Sequence, residues 1–332
     1  MGVLIGYASV KGATRINGQL FVPEDWFSDT MAARRDEVGL PSELTFQTKP
    51  QLAVALLQGI VARAVLHARW LAADALYGNA PAFRARVAAL GLWYFTEVAS
   101  DPLIGRRTPA LIVPPWSGKG RKPTKQRLKT PSNAAYRVDA VLRRLPKTAW
   151  TRGTVKEGRT GPIVGDGVFV RGNEARAGLP GARLGLMLRR NVADPRVVKY
   201  ALSNAPATIE PPRLARLSGM RWPIELIFEV SKDELGMDHD ETRSWLGWHH
   251  HMVLVMRAHH FLVWVRVHWR EPAPALTLAH VRLRVTSVIP KLIVDAARAL
   301  LLVAYYQRRN HAAYRSHRKQ KRAQLAAFNS AL

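Results

Sequence analysis

The chain contains no cysteine at all, which excludes disulfides, thiolate metal sites and cysteine nucleophiles. Its chemistry must therefore rest on carboxylates, His, Ser or Lys. Acidic residues are scarce too, with 24 Asp and Glu against 50 Lys and Arg and a formal net charge of +26. Such an excess sets up a field that attracts polyanions, and nucleic acid is the leading partner, with ribosomal or membrane-surface binding as blander readings. The start, MGVLIGYASVKGATR, lacks the basic and apolar pattern of a secretory signal. No long uninterrupted apolar run is present either: the stretches around Leu254–Val267 and Leu292–Tyr306 are broken by Arg257, Arg266, Asp295 and Arg298. Neither reaches the run of about 20 apolar residues that spans a bilayer, so a cytoplasmic, nucleoid-associated protein without a membrane partner is expected.

What is present is a globular composition, 48% hydrophobic over 332 residues. VLIGYASV and QLFVP read as two strands, with Asn17-Gly18 as the turn between them. KPQLAVALLQGIVARAVL has helical spacing, with Leu52, Leu56, Leu57, Ile60 and Val61 on one side. RWLAAD reads as a buried strand that delivers Asp74 to a strand end, a common place for catalytic groups. A helix over Pro81–Leu90 and the strand WYFTEV complete an α/β pattern.

From Asp101 the character changes. Arg106, Arg107, Lys119, Arg121, Lys122, Lys125, Arg127 and Lys129 follow one another with no acid among them. GKGRKPTKQRLK reads as a mobile arm, either a solvated loop or a DNA contact through Lys119, Arg121 and Lys122. β segments up to VVKYALSN form a β-rich insertion, and Pro211-Pro212 opens a long helical pattern from about Leu214 to Leu235. The chain beyond Trp245 reads as helical and ends in a basic tail. The organisation expected is residues 1–100 as the N-terminal part of a core, 101–205 as basic loop and insertion, 206–270 as its second part, and 271–332 as a helical basic region.

Within the long helical pattern, Arg221, Glu225 and Lys232 are separated by four and seven positions. At about 100° per residue they fall within roughly 40° of one another. Pro223 disturbs this picture, because an interior proline kinks a helix or marks its start. A carboxylate between two cations suits metal-assisted chemistry on a phosphodiester: the acid binds Mg²⁺ and the cations hold phosphates. A second acid is needed from another segment, and Asp74 is the obvious one. Ordinary ion pairing on a solvated helix explains the same spacing.

Ser218-x2-Arg221-x3-Glu225-x6-Lys232 resembles the Tyr-x2-Arg-x3-Glu-x6-Lys signature of one branch of DDE insertion-sequence transposases, with Ser218 where Tyr is usual. LAADALYGNAPAFRARVAALGLWYF resembles the family's segment around its second Asp, and RWPIELIFEVSKDELGMDHDETRSWLGWHHHM resembles its Glu-bearing segment. The likeness covers most of residues 7–270. It implies an RNase H-like mixed sheet with flanking helices, a β-rich insertion before the Glu-bearing helix and a helical C-terminal region. It also implies two Mg²⁺ (or Mn²⁺) ions held by Asp74, Glu225 and a first Asp, for hydrolysis and strand transfer at transposon ends. Arg221, Lys232 and Ser218 would contact end phosphates, the DNA would be double-stranded, and a homodimer in a synaptic complex belongs to the same picture.

The family's first Asp lies on a central strand upstream of the hairpin that GYASVKGATRINGQLFVPEDW resembles. The expectation is therefore that the first core strand is missing, leaving a sheet edge unpaired and the chain inactive alone. Asp25 and Asp29 lie in a Pro-containing loop and are poor replacements. Rival readings are a non-catalytic DNA-binding regulator and a basic RNA-binding protein. His249, His250 and His251 point about 100° apart in succession and cannot converge on one ion. GPIVGDG and SGKGRKPTK do not fit a phosphate-loop pattern, so no nucleotide cofactor is expected. Trp245, Trp248, Trp264 and Trp269, at helical spacings, are assigned to the core.

Overall fold

A computed structural model describes residues 2–64, 66–105, 108–130, 135–158, 161–176, 178–219, 222–269, 276–289 and 296–329. Among them the chain falls into two compact units, Met1–Val281 and Arg282–Leu332.

The first unit opens with β1 (Gly2–Ser9) and β2 (Gly12–Leu20), an antiparallel pair. The reversal is at Val10-Lys11 and not at Asn17-Gly18, as the dipeptide suggested. A turn at Asn17-Gly18 would leave only a short second strand before Pro23, whereas the observed turn lets Gly2 pair with Leu20 and extends the ladder. Asn17-Gly18 sits beside a bulge instead, where the register shifts between Ile5 and Gly6. A Cβ on Gly18 would lie 2.1 Å from Leu4 Cδ2, so Leu4 would have to turn aside to admit a larger residue.

Helix α1 (Ala32–Val38) ends on Gly39 in the left-handed conformation. Helix α2 (Lys49–Ala62) starts at a capping box: the Thr48 hydroxyl accepts from Gln51 N, and the Gln51 side chain accepts from Thr48 N. Next come β3 (Trp70–Ala73), α3 (Ala75–Gly78), α4 (Pro81–Ala89) and β4 (Trp93–Val98). The short strands β5 (Leu103–Gly105), β6 (Leu111–Ile112), β7 (Arg127–Leu128) and β8 (Tyr136–Arg137) lead into α5 (Val138–Arg143). Then β9 (Thr151–Gly158), β10 (Gly161–Arg176), β11 (Leu179–Asn191) and β12 (Val198–Ser203) form the β-rich part.

Strands pair in the order β3-β4-β12-β11-β10-β5-β8, with β9 also on β10. β3 runs parallel to β4 and the other pairs are antiparallel, so the sheet is mixed. Side chains alternate across it. Leu186, Leu188 and Leu202 point to one face, where Leu52, Leu56, Phe83 and Val87 of α2 and α4 complete the main core. Phe95, Met187 and Ala201 point to the other and pack with Leu214 and Leu217 of α6 (Pro211–Leu217). Full burial stabilises each such Leu or Phe by about 2 kcal/mol. β3 itself is half-buried rather than buried, because it ends the sheet.

The long helical pattern divides into α6 and α7 (Trp222–Leu235), with Pro223 the second residue of α7. There its missing N–H costs nothing. Helix α8 (Trp245–His268) is capped by Ser244, whose hydroxyl accepts from Gly247 N. Its inner face buries Met252, Val255, His259 and Leu262. The tryptophans assigned to the core are not buried. Trp245 and Trp248 are half-buried, while Trp264 and Trp269 are exposed, because helical spacing cannot tell which face of a uniformly apolar helix has a neighbour. The first unit ends within helix α9 (Leu278–Val288), after Val281.

The second unit is dominated by α10 (Ala296–Asn329), 34 residues and so about 50 Å long. Its described side chains are all exposed, and Arg308, Arg315, Lys319 and Arg322 recur within roughly 60° of one another.

Candidate functional site

Asp74 leaves the C-terminal end of β3 and caps α3, its Oδ1 accepting from Leu76 N at 2.9 Å. The short helix is fixed at its far end as well. Arg84, buried on α4, donates to the Gly78 carbonyl and pairs with buried Glu174 on β10. Asn79 Oδ1 accepts from Ala99 N just past β4, at 2.9 Å. Gly78 lies directly on β4, where a Cβ would stand 1.7 Å from the Glu97 carbonyl oxygen. Only glycine lets α3 approach that closely. Burial raises the Tyr77 phenol above its ordinary pKa, and the nearby Asp74 carboxylate adds to the rise.

Glu225 lies in the first turn of α7, half-buried, where the helix dipole favours an anion. It lines a cleft of about 290 Å³ with Glu97, Arg189, Arg190, Lys199 and Ser218. The cations are arranged by partners: Arg189 donates to the Ser218 hydroxyl at 3.1 Å, and Lys199 Nζ lies 3.4 Å from Glu97 Oε1. Arg190 donates to Asp166 at 3.2 Å and stacks over Trp150. Hydrogen bonds from Arg152, and then from Arg190, hold the Asp166 carboxyl below its ordinary pKa.

The residues picked out in the sequence are thus distributed as follows. Glu225 and Ser218 meet in this cleft, and Lys232 is exposed in the last turn of α7. Asp74 lies outside the cleft lining, but its neighbour Glu97 is inside: β3 and β4 are parallel with Ala73 beside Thr96, so both chains reach an acid at the next position. Furthermore, Ala72 of β3 and Ile224 of α7 line a second cavity together, which brings the acid-bearing elements to one region. Arg221 lies outside the described residues, as do Arg106 and Arg107. Lys119, Arg121 and Lys122 are exposed between β6 and β7, in a segment without regular structure. Sequence reasoning missed Glu97, Arg189, Arg190 and Lys199. Glu97 was visible only as the acid of WYFTEV, and the pairing of β4 with β3 gives it meaning.

Fold and site together define a mixed α/β protein whose carboxylates share a cleft with several cations, an arrangement suited to a polyanion. Residues 1–162, just under half of the chain, match the family model described as DDE superfamily endonuclease. The match supports a DDE transposase-type protein, and the mixed sheet with flanking helices is consistent with an RNase H-like DDE fold. The Glu225 segment lies beyond the matched span. A search of curated proteins finds no match to the chain. Among the described residues no helix is long and apolar enough to cross a membrane.

Proposed function

We propose that the chain is a transposase of a prokaryotic insertion sequence that engages double-stranded DNA at transposon ends. In this reading Asp74 and Glu225 contribute to a Mg²⁺ or Mn²⁺ site, and Arg221, Lys232 and Ser218 contact end phosphates. Lys119, Arg121 and Lys122 add a sequence-independent contact, and a homodimer holds paired ends in a nucleoid-associated complex. Residues 1–100 and 206–270 form the core, 101–205 the basic loop and insertion, and 271–332 the basic C-terminal region. The observation that carries the reading is the shared cavity lined by Ala72 and Ile224, since those residues flank the two acids along the chain.

Carboxylate oxygens are the donors these hard ions take, so the residue types suit the metal. Their number falls short: among the described residues no group of three or more His, Cys, Asp or Glu could hold an ion. The chain's own part is to bind and position DNA. The same shortage favours a second reading, a non-catalytic DNA-binding regulator of transposition.

Nicking of a duplex that contains the element's ends, with Mg²⁺ or Mn²⁺, separates the two. Transposase activity predicts nicking that is lost in Glu225→Gln and Asp74→Asn while binding persists. Nicking indifferent to both substitutions would sink the assignment of these acids. Salt-sensitive binding with no nicking in either ion selects the regulator, and a preference for RNA in competition rejects both.

A further inference from the structure

Helix α10 carries many cations and no acid: from Ala296 to Leu332 the sequence has neither Asp nor Glu, while seven of the fifteen residues from Arg308 to Arg322 are Lys or Arg. All seven are exposed. They are also unevenly spread around the helix. At about 100° per residue, Arg308, Arg315, Arg318, Lys319 and Arg322 fall within an arc of roughly 100°, and only Arg309 and Lys321 lie outside it. At 1.5 Å per residue this stripe is about 21 Å long, the rise of about six base pairs of B-form duplex.

Nothing within the helix offsets that charge. Arg315 stands three and four residues before Arg318 and Lys319, and both of these stand within four residues of Arg322. Such spacings place like charges side by side on a helix and oppose its formation. A polyanion laid along the stripe turns each of these repulsions into a shared attraction. The side away from the stripe carries Arg309, Asn310, His317 and Lys321, so it offers no apolar face to enter a bilayer, as a membrane-surface helix requires. Between nucleic acids, shape decides. The B-DNA major groove, about 12 Å wide, admits a helix of about 10–12 Å diameter, whereas the deep, narrow major groove of A-form RNA does not.

We propose that α10 is a duplex-DNA contact, with its basic stripe seated in a major groove and its cations on the flanking phosphates. The contact is sequence-independent, because Arg and Lys on phosphates fix position and read no bases. It rests on the DNA-binding reading above and adds to it a surface carried by the second unit, distinct in sequence from the residues of the cleft.

The test uses the full chain, a fluorescein-labelled DNA duplex of about 20 base pairs without transposon-end sequence, and anisotropy titrations over a series of salt concentrations. Replacing Arg315, Lys319 and Arg322 by Gln should weaken binding at least tenfold at fixed salt and make the slope of log K against log salt shallower by about 2–3. Replacing Arg309 and Lys321 by Gln, off the stripe, should change that slope by less than about one. Ser316→Pro keeps every charge but breaks the helix inside the stripe, and should weaken binding about fivefold or more. Equal losses from the two sets of Gln substitutions, or undiminished binding by Ser316→Pro, would make α10 a diffuse charged tail and overturn the proposal. An RNA duplex bound as tightly as DNA, or displacement of the DNA by phosphatidylserine vesicles, overturns it as well. If the unsubstituted chain binds no duplex DNA, the DNA-binding reading fails as a whole; if it binds and the stripe variant binds equally well, only the assignment of α10 fails.

Discussion

The pair formed by Arg84 and Glu174 holds the segment that presents Asp74, and its removal should be unequal from the two sides. Arg84 is 2% exposed and joins three parts of the chain: α4, the Gly78 carbonyl at the end of α3, and Glu174 on β10. Glu174 has a second partner, Arg176, at 3.0 Å, whose side chain is about half exposed. Glu174→Leu leaves a buried guanidinium with neutral partners, the Gly78 carbonyl and the Tyr94 phenol, and breaking a buried pair in that way costs about 3–5 kcal/mol. Arg84→Met leaves the carboxylate its second cation, so a cost at the lower end, about 3 kcal/mol, is expected. The double substitution removes both charges, and should cost less than the sum by about 1.5 kcal/mol or more. Urea unfolding followed by tryptophan fluorescence measures all three, with Trp70 and Trp93 in edge-to-face contact at 5.2 Å as reporters near Asp74. Additive effects, or a larger loss in Arg84→Met than in Glu174→Leu, would refute the reasoning.

Two other consequences are open to measurement. His259 is buried on α8, with Nδ1 3.2 Å from the Thr14 hydroxyl, and burial, then Arg15, Arg266 and His260, push its pKa from 6.5 down to about 4. The unfolded chain therefore binds the extra proton first, and stability should fall as pH drops from about 6.5 to about 4, by about 3 kcal/mol in all. Urea midpoints at several pH values check this, and an unaltered pH slope in His259→Gln would exclude His259 as its source. In the exposed segment between β6 and β7, replacing Lys119, Arg121 and Lys122 by Ala should weaken DNA binding uniformly across sequences. The slope of log K against log salt should become shallower by about 2–3 if each contacts one phosphate. An unchanged slope would return that segment to a solvated loop.

The local part of the site was legible in the sequence. Hydrophobic run, acid, turn and helix follow one another from Trp70 to Ala89, and the strand WYFTEV returns beside the first; β3, α3, α4 and β4 occupy those places. Pro223 left a kink or a helix start open within one long helical pattern, and the chain begins α7 there. Features that depend on pairing between distant segments were hidden. Asn17-Gly18 has the composition of a hairpin turn, but the choice of turn is made by the ladder it permits, and the longer ladder closes at Val10-Lys11. Arg84 and Glu174 stand 90 positions apart, and no local pattern joins them.

Glu97 shows the same division most sharply. In isolation it is an acid on the exposed side of a strand, and alternation alone accounts for it. Its place follows from three separate contacts: parallel pairing with β3, antiparallel pairing with β12, and the close approach of Gly78. The first sets it beside Asp74. The second brings Lys199 to within 3.4 Å of its carboxylate, and the third fixes its backbone under α3. With Glu225 on the same cleft, a carboxylate neutralised by a strand lysine stands where a polyanion would approach. The cleft keeps its attraction for phosphate, since the two carboxylates Glu97 and Glu225 are outnumbered in its lining by the three cations Arg189, Arg190 and Lys199.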